Sequence, residues 1–136
     1  MSSKYKAGDN ALPHFVTFSV VDRIDIFSRA QYKEIFVESL RHCIDHKELI
    51  LHAWIVMTNH AHLIISSDTA KLEKIVRDIK KFTSKQIIKA IQENEKESRK
   101  KWMLNIFSFT CKNNNNNKDF QFSRYNRAKL INAGFR

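Results

Sequence analysis

Residues 56–66 read VMTNHAHLIIS, and within that run His60 and His62 stand two residues apart. In an extended strand, residues i and i+2 project to the same side, so the two imidazoles emerge together while Ala61, Leu63 and Ile65 face the other way, into a core. Paired imidazoles on an open sheet face can each offer one nitrogen to a divalent cation. Two ligands alone bind weakly, and a third from another element is expected. A cation held this way polarises a phosphate oxygen and stabilises the charge that develops when a phosphodiester is attacked. Taken alone, His-x-His is equally the pattern of two surface histidines on a solvent-facing strand.

The other histidines are His14, His42, His46 and His52. His42 and His46 are spaced i,i+4 on an expected helix and formally make a second metal pair, although that spacing also suits solvated residues on a polar face. His52 alternates along the strand before His60, and His14 stands at a strand start. Cys43 and Cys111 are isolated, with no spacing that suggests a disulfide framework or a zinc knuckle, which points to a reduced, cytoplasmic setting. Met1–Asn10 is polar rather than a signal peptide, and no apolar run nears the ~20 residues of a membrane helix.

The chain carries a formal charge of +10, and its distribution is uneven. Residues 1–70 are nearly balanced, at −1, whereas residues 71–101 carry +6 and residues 102–136 carry +5. A positive field confined to the C-terminal half suits a surface that meets a polyanion, most often nucleic acid; the competing reading is a solvated basic face. With 136 residues and 43% hydrophobic residues, the chain is expected to be a single domain, 1–136, with one core.

The elements that must position the histidines follow from periodicity. HFVTFSV (14–20) alternates with Val16, Phe18 and Val20 on one face, the pattern of a strand. Ser28 with Gln31 fits a capping box that opens a helix, along which Tyr32, Ile35, Phe36, Leu40, Cys43 and Ile44 recur at helical spacing. Ile50–Met57 and Ala61–Ser66 read as strands joined by a turn at Thr58-Asn59. A second helix is expected from about Thr69 to Ile91, loosened near Thr83-Ser84, with Leu72, Ile75, Val76 and Ile79 as its apolar stripe. Its opposite face carries Arg77, Lys81, Lys85 and Lys89 at four-residue spacing. QENEKESRKK reads as a helical extension or a surface connector, WMLNIFSF as a segment packing back on the body, and CKNNNNNK as a low-complexity loop. The order strand–helix–strand–strand–helix predicts an α+β fold, a ferredoxin-like split βαβ sandwich with an antiparallel sheet and helices on one face. DFQF (119–122) is the candidate fourth strand.

AWIVMTNHAHLIIS resembles the strand pair of the single-tyrosine HUH transposases, and most closely the branch of REP-associated tyrosine, or insertion-sequence-200-like, transposases. Trp54, Val56, Met57, Asn59, His60, His62 and Leu63 fit that family's pattern, with Thr58 where proline is usual. HFVTFSVVDRIDIF, LEKIVRDIKKFTSKQIIKAI and NKDFQF resemble further segments of the family in the same order, so the resemblance spans about residues 12–122. It implies a protein that binds single-stranded or hairpin DNA. His60 and His62, with a third polar side chain, would hold Mg²⁺ or Mn²⁺ beside the scissile phosphate. A tyrosine hydroxyl would cleave the strand, leaving a 5′-phosphotyrosine and a free 3′-OH for rejoining. The stripe Arg77, Lys81, Lys85 and Lys89, with Arg124 and Arg127, would follow the DNA backbone. Members of the family occur as monomers and as homodimers, and exposed sheet edges favour association.

The sequence departs from the family after DFQF. The family's nucleophile lies in a motif close to Asp-Tyr-Ile-His-x-Asn-Pro, which this sequence lacks; it stops at Arg136, about where that helix would begin, and residues 123–136 read as a divergent tail. The expectation is a C-terminally truncated copy. Of the three tyrosines, Tyr5 lies in the polar N-terminus, Tyr32 has core-facing periodicity, and Tyr125 is the candidate nucleophile by its separation from His62. Lys129, one turn beyond, would repel a cation. Flanked by Arg124 and Arg127, Tyr125 also suits a base-stacking role. Two readings stand: an HUH domain that cleaves and rejoins single-stranded DNA, or a catalytically dead remnant that binds nucleic acid through its basic face. A barrel-type His-x-His metallohydrolase is excluded by length, since such barrels need about 250 residues.

Overall fold

The computed structural model describes residues 10–112 and 123–129 of the chain. Strand β1 (His14–Val20) leads through two short 3-10 turns, Val21–Arg23 and Ile26–Ser28, into helix α1 (Ala30–His46). Strands β2 (Ile50–Val56) and β3 (His60–Ser66) follow, then helix α2 (Leu72–Glu93), helix α3 (Lys100–Lys112) and strand β4 (Ser123–Lys129). The sheet order is β2-β3-β1-β4 and every neighbouring pair is antiparallel. That is the predicted ferredoxin-like arrangement, with α3 added before the last strand.

The alternation read from β1 and β3 sets the layers. Val16, Phe18, Ala61, Leu63 and Ile65 are buried together with Phe36 and Leu40 of α1 and Ile75, Val76 and Ile79 of α2, so these helices cover one face of the sheet. Phe36 anchors the contact, with its ring edge-on to Phe18 at 5.7 Å and tilted against Phe27 at 5.6 Å. The Ser39 hydroxyl donates to the Ile79 carbonyl and ties α1 to α2 at 3.3 Å.

Several expectations are corrected. The fourth strand is Ser123–Lys129; DFQF lies outside the described residues. Helix α1 starts two residues after Ser28, and no side chain caps it; the Ser28 hydroxyl instead donates to the Asp25 carbonyl. Ile44 is 44% exposed and off the core stripe, whereas Tyr32 is fully buried as its periodicity predicts. Helix α2 runs unbroken through Thr83-Ser84, because Thr83 is buried within it and the stripe continues through Ile87, Ile88 and Ile91. WMLNIFSF lies within α3, whose Met103 and Phe107 are buried. β2 is an edge strand that leaves Trp54 and Ile55 exposed.

The charged connector between α2 and α3 holds a buried carboxylate. Glu97 accepts from Arg29 Nε at 2.8 Å, the Tyr32 hydroxyl at 2.9 Å and Arg99 Nε at 3.1 Å, while Arg99 Nη1 reaches Asp25 at 2.6 Å. The connector is thereby clamped to the start of α1. Among the described residues, no helix is long and apolar enough to cross a membrane.

Candidate functional site

His60 and His62 lie on the sheet face that α1 and α2 leave uncovered. Both are partly exposed, while Ala61 between them is fully buried on the helix side. Their ring centroids are 4.8 Å apart, at an interplanar angle of 69°. The expectation that the two imidazoles project together therefore holds in the geometry.

Each ring has a protein partner on Nδ1. His60 Nδ1 lies 2.7 Å from Asn59 Oδ1, an oxygen that only accepts, so this nitrogen carries the proton and Nε2 keeps its lone pair. His62 Nδ1 lies 3.0 Å from Thr17 Oγ1, which can accept in the same way. Phe15 stacks on His62 with centroids 5.1 Å apart and planes 23° from parallel. The His60 Nε2 is thus left for an outside ligand, and the His62 Nε2 likewise in the tautomer in which Thr17 accepts, the arrangement in which ligating histidines hold a metal. Burial and the nearby His60 charge both hold the His62 imidazole below its ordinary range, which favours the neutral, ligating form.

The support behind His60 reaches back to an unusual turn. Asp22 and Arg23 both take left-handed backbone angles, with φ of 54° and 53°, a conformation that costs most non-glycine residues about 1 kcal/mol or more. The turn presents the Arg23 carbonyl to Asn59 Nδ2 at 3.3 Å. Backbone bonds from Val20 N to Asn59 O and from Phe27 N to Thr58 O, both 2.9 Å, fasten the β2–β3 turn to the same segment. Asn59 is so held by Arg23 at one end of its amide and holds His60 with the other. The supporting roles of Thr17, Phe15 and Arg23 depend on pairing across the fold, and only Asn59 stood in a recognisable motif.

Cross-strand register orders the rest of this face. His62 shares a row with Thr17 and Asn126, and His60 shares one with Ser19 and Arg124. Arg127 falls in the row of Val16 and Leu63, and Tyr125 in the row of Phe18 and Ala61. His52 does not approach His60: it sits at the bulge between Leu51 and Ala53, with Nε2 2.7 Å from Ser66 Oγ. His14 is buried. Among the described residues, no third His, Cys, Asp or Glu joins the His60–His62 pair. Arg77, Lys81, Lys85 and Lys89 are all exposed along α2, in the helical layer and so across the sheet from the histidines.

A family model described as "Transposase IS200 like" matches residues 9–122. Among solved structures, the fold is similar to that of a REP-associated tyrosine transposase bound to a REP hairpin. The TM-score is 0.57 and the identity 15%, over 97% of this chain and 64% of that one. A candidate transposase of Deinococcus radiodurans aligns at 18% identity over 66% of this chain and 65% of its own, with a TM-score of 0.48. This chain therefore spans slightly less than two thirds of the length of either. No curated protein matches it.

Proposed function

The chain belongs to the family of IS200-like transposases, and from that membership and the histidine pair we propose that it binds single-stranded or hairpin DNA at the open sheet face and cleaves and rejoins it. The observation that carries this reading is the pair of imidazoles 4.8 Å apart, each with Nδ1 engaged and Nε2 available. The donor set fits a divalent ion, Mg²⁺ or Mn²⁺, held by His60 and His62. Such an ion, when bound, supplies charge stabilisation to the non-bridging oxygens of a phosphodiester. The chain's own residues do the remainder. Asn59 and Thr17 fix the imidazoles, and Phe15 blocks one face of His62.

Cleavage in this reading is transesterification. A tyrosine oxygen bonds to phosphorus, the bond to the 3′ oxygen breaks, and the proton lost by the phenol is balanced by the one gained at the 3′-OH. Energy is conserved in the phosphotyrosine ester, so the reverse attack by a 3′-OH rejoins the strand. Tyr125 is the candidate nucleophile. Arg124, whose backbone lies in the row of His60, and Arg127 on the same strand would add positive charge for the DNA backbone. Arg77, Lys81, Lys85 and Lys89, across the sheet, would engage a different segment of the nucleic acid from the one at the histidines.

A second reading, binding without chemistry, is favoured by one observation: the row of Tyr125 is not the row of either histidine. Incubation with end-labelled single-stranded hairpin DNA and Mn²⁺ separates the two. An adduct stable to SDS, lost in His60→Ala, His62→Ala and Tyr125→Phe, is the expected result for the enzyme. Retarded DNA with no adduct in the parent chain establishes binding without chemistry, and an adduct that persists in Tyr125→Phe moves the nucleophile elsewhere.

A further inference from the structure

We propose that His42 and His46 form a second divalent-cation site, selective for a late first-row ion such as Zn²⁺ or Ni²⁺, on the exposed face of α1. The two residues are one turn apart, with ring centroids at 4.8 Å and planes inclined by 45°. That separation equals the one between His60 and His62. Imidazoles at i,i+4 on one helix face are a recurring zinc-binding arrangement, because the helical rise brings both nitrogens within reach of one ion.

A second element preorders the pair. The ring of His42 lies flat on Phe82 of α2, with centroids 5.8 Å apart and planes within 5° of parallel. The neighbouring helix restricts one ligand before an ion arrives, which lowers the entropic cost of binding. Both histidines are exposed, so an ion has access and water can fill its remaining positions.

The surrounding charges are compatible with a cation. Glu38 and Asp45 stand on the exposed surface of the same helix, and the adjacent Arg41 is paired with Glu38 at 2.5 Å. Lys47, at the helix end, lies 3.9 Å from Asp78 of α2. Among the described residues no third His, Cys, Asp or Glu completes the pair. Two nitrogens with water suit borderline ions over oxygen-seeking Mg²⁺, whereas an ion at His60 and His62 would, in the proposed function, also take phosphate oxygens from the DNA. It also lies in the helical layer, across the sheet from His60 and His62. An ion there bridges the last turn of α1 and, by binding only the folded chain, stabilises the fold.

The test is Ni²⁺ binding to the full chain without a polyhistidine tag, followed by calorimetric stoichiometry and by Tm, with Mg²⁺ as the contrast. His60→Ala/His62→Ala is expected to retain one equivalent of Ni²⁺ and a Ni²⁺-dependent rise in Tm. Adding His42→Gln or His46→Gln to that variant should abolish both, while Mg²⁺ gives neither. Persistence of the Tm rise and of the bound equivalent after loss of either helix histidine would overturn the site. Should the strand double variant fail to melt cooperatively, the parent chain decides: His42→Gln must then bind one equivalent fewer than the parent, and equal stoichiometry refutes the proposal.

Discussion

Thr17 Oγ1 lies 3.0 Å from His62 Nδ1 across the β1–β3 pair, and Asn59 Oδ1 lies 2.7 Å from His60 Nδ1. Each imidazole proposed to hold the metal is therefore backed by an oxygen on its far side. Loss of such a partner typically costs 10–100-fold in metal affinity, so Thr17→Val and Asn59→Ala should each weaken Mn²⁺ binding by about that factor. Mn²⁺ titration followed by water-proton relaxation reads the change directly. Affinity equal to the parent in both variants would mean that the rings are oriented by the Phe15 stack and the backbone alone.

The His62 imidazole titrates below its ordinary value of 6.5, because burial, first, and the His60 charge, second, disfavour its protonated form. With the folded pKa below the unfolded one, the group's contribution to stability is complete above about 6.5 and is lost as pH falls through that value towards the folded midpoint. Replacing His60 by Asn removes the second cause and leaves the first. The His62 midpoint, followed by NMR of the ring protons, should then move upward without regaining its ordinary value. A midpoint unchanged by His60→Asn would show that burial alone sets it.

The histidine pair was legible because its geometry is local: i and i+2 on a strand share a face whatever the rest of the chain does. Its partners were not, because Thr17 reaches His62 only through the antiparallel register, and Asn59 is held by an Arg23 carbonyl that a left-handed turn presents. The sheet and its helical cover followed from alternation in β1 and the stripe of α2. α3 was harder to recognise, since Trp102 and Phe109 stay exposed beside buried Met103 and Phe107 and blur the helical period. Glu97 was hidden for the opposite reason. It sits in a run of charged residues that reads as solvated, and only tertiary contacts bury it.

The α2 stripe predicts a salt dependence. For single strands, log K falls with log salt by about 0.7 per phosphate contact. The double variant Lys81→Ala/Lys85→Ala should therefore make the slope shallower by about 1.4, with equal losses for unrelated DNA sequences. Fluorescence anisotropy across a salt series measures the slope. A parent-like slope in the double variant would assign the stripe to solvent rather than to nucleic acid.

Loss of the Glu97 carboxylate should cost the fold heavily. Its side chain is fully buried, while Arg29 is 44% exposed and Arg99 16%. Burial alone would raise its pKa, but hydrogen bonds from Arg99, Arg29 and Tyr32 outweigh that and hold it at about 2. Glu97→Gln removes the charge that two guanidinium groups share, and breaking a buried pair in this way costs about 3 kcal/mol. Arg29→Ala should cost less, about 1 kcal/mol, because its partly exposed guanidinium is screened by solvent. The folded pKa is depressed, so this stabilisation is present above the ordinary carboxylate value of 4.5 and is lost as pH falls from there towards about 2. Urea unfolding of parent and Glu97→Gln between pH 7 and pH 3 should show a stability gap that is constant down to about pH 4.5 and narrows below it. Curves that remain parallel would mean that the clamp between the α2–α3 connector and α1 holds through packing of Tyr32 rather than through the Glu97 charge.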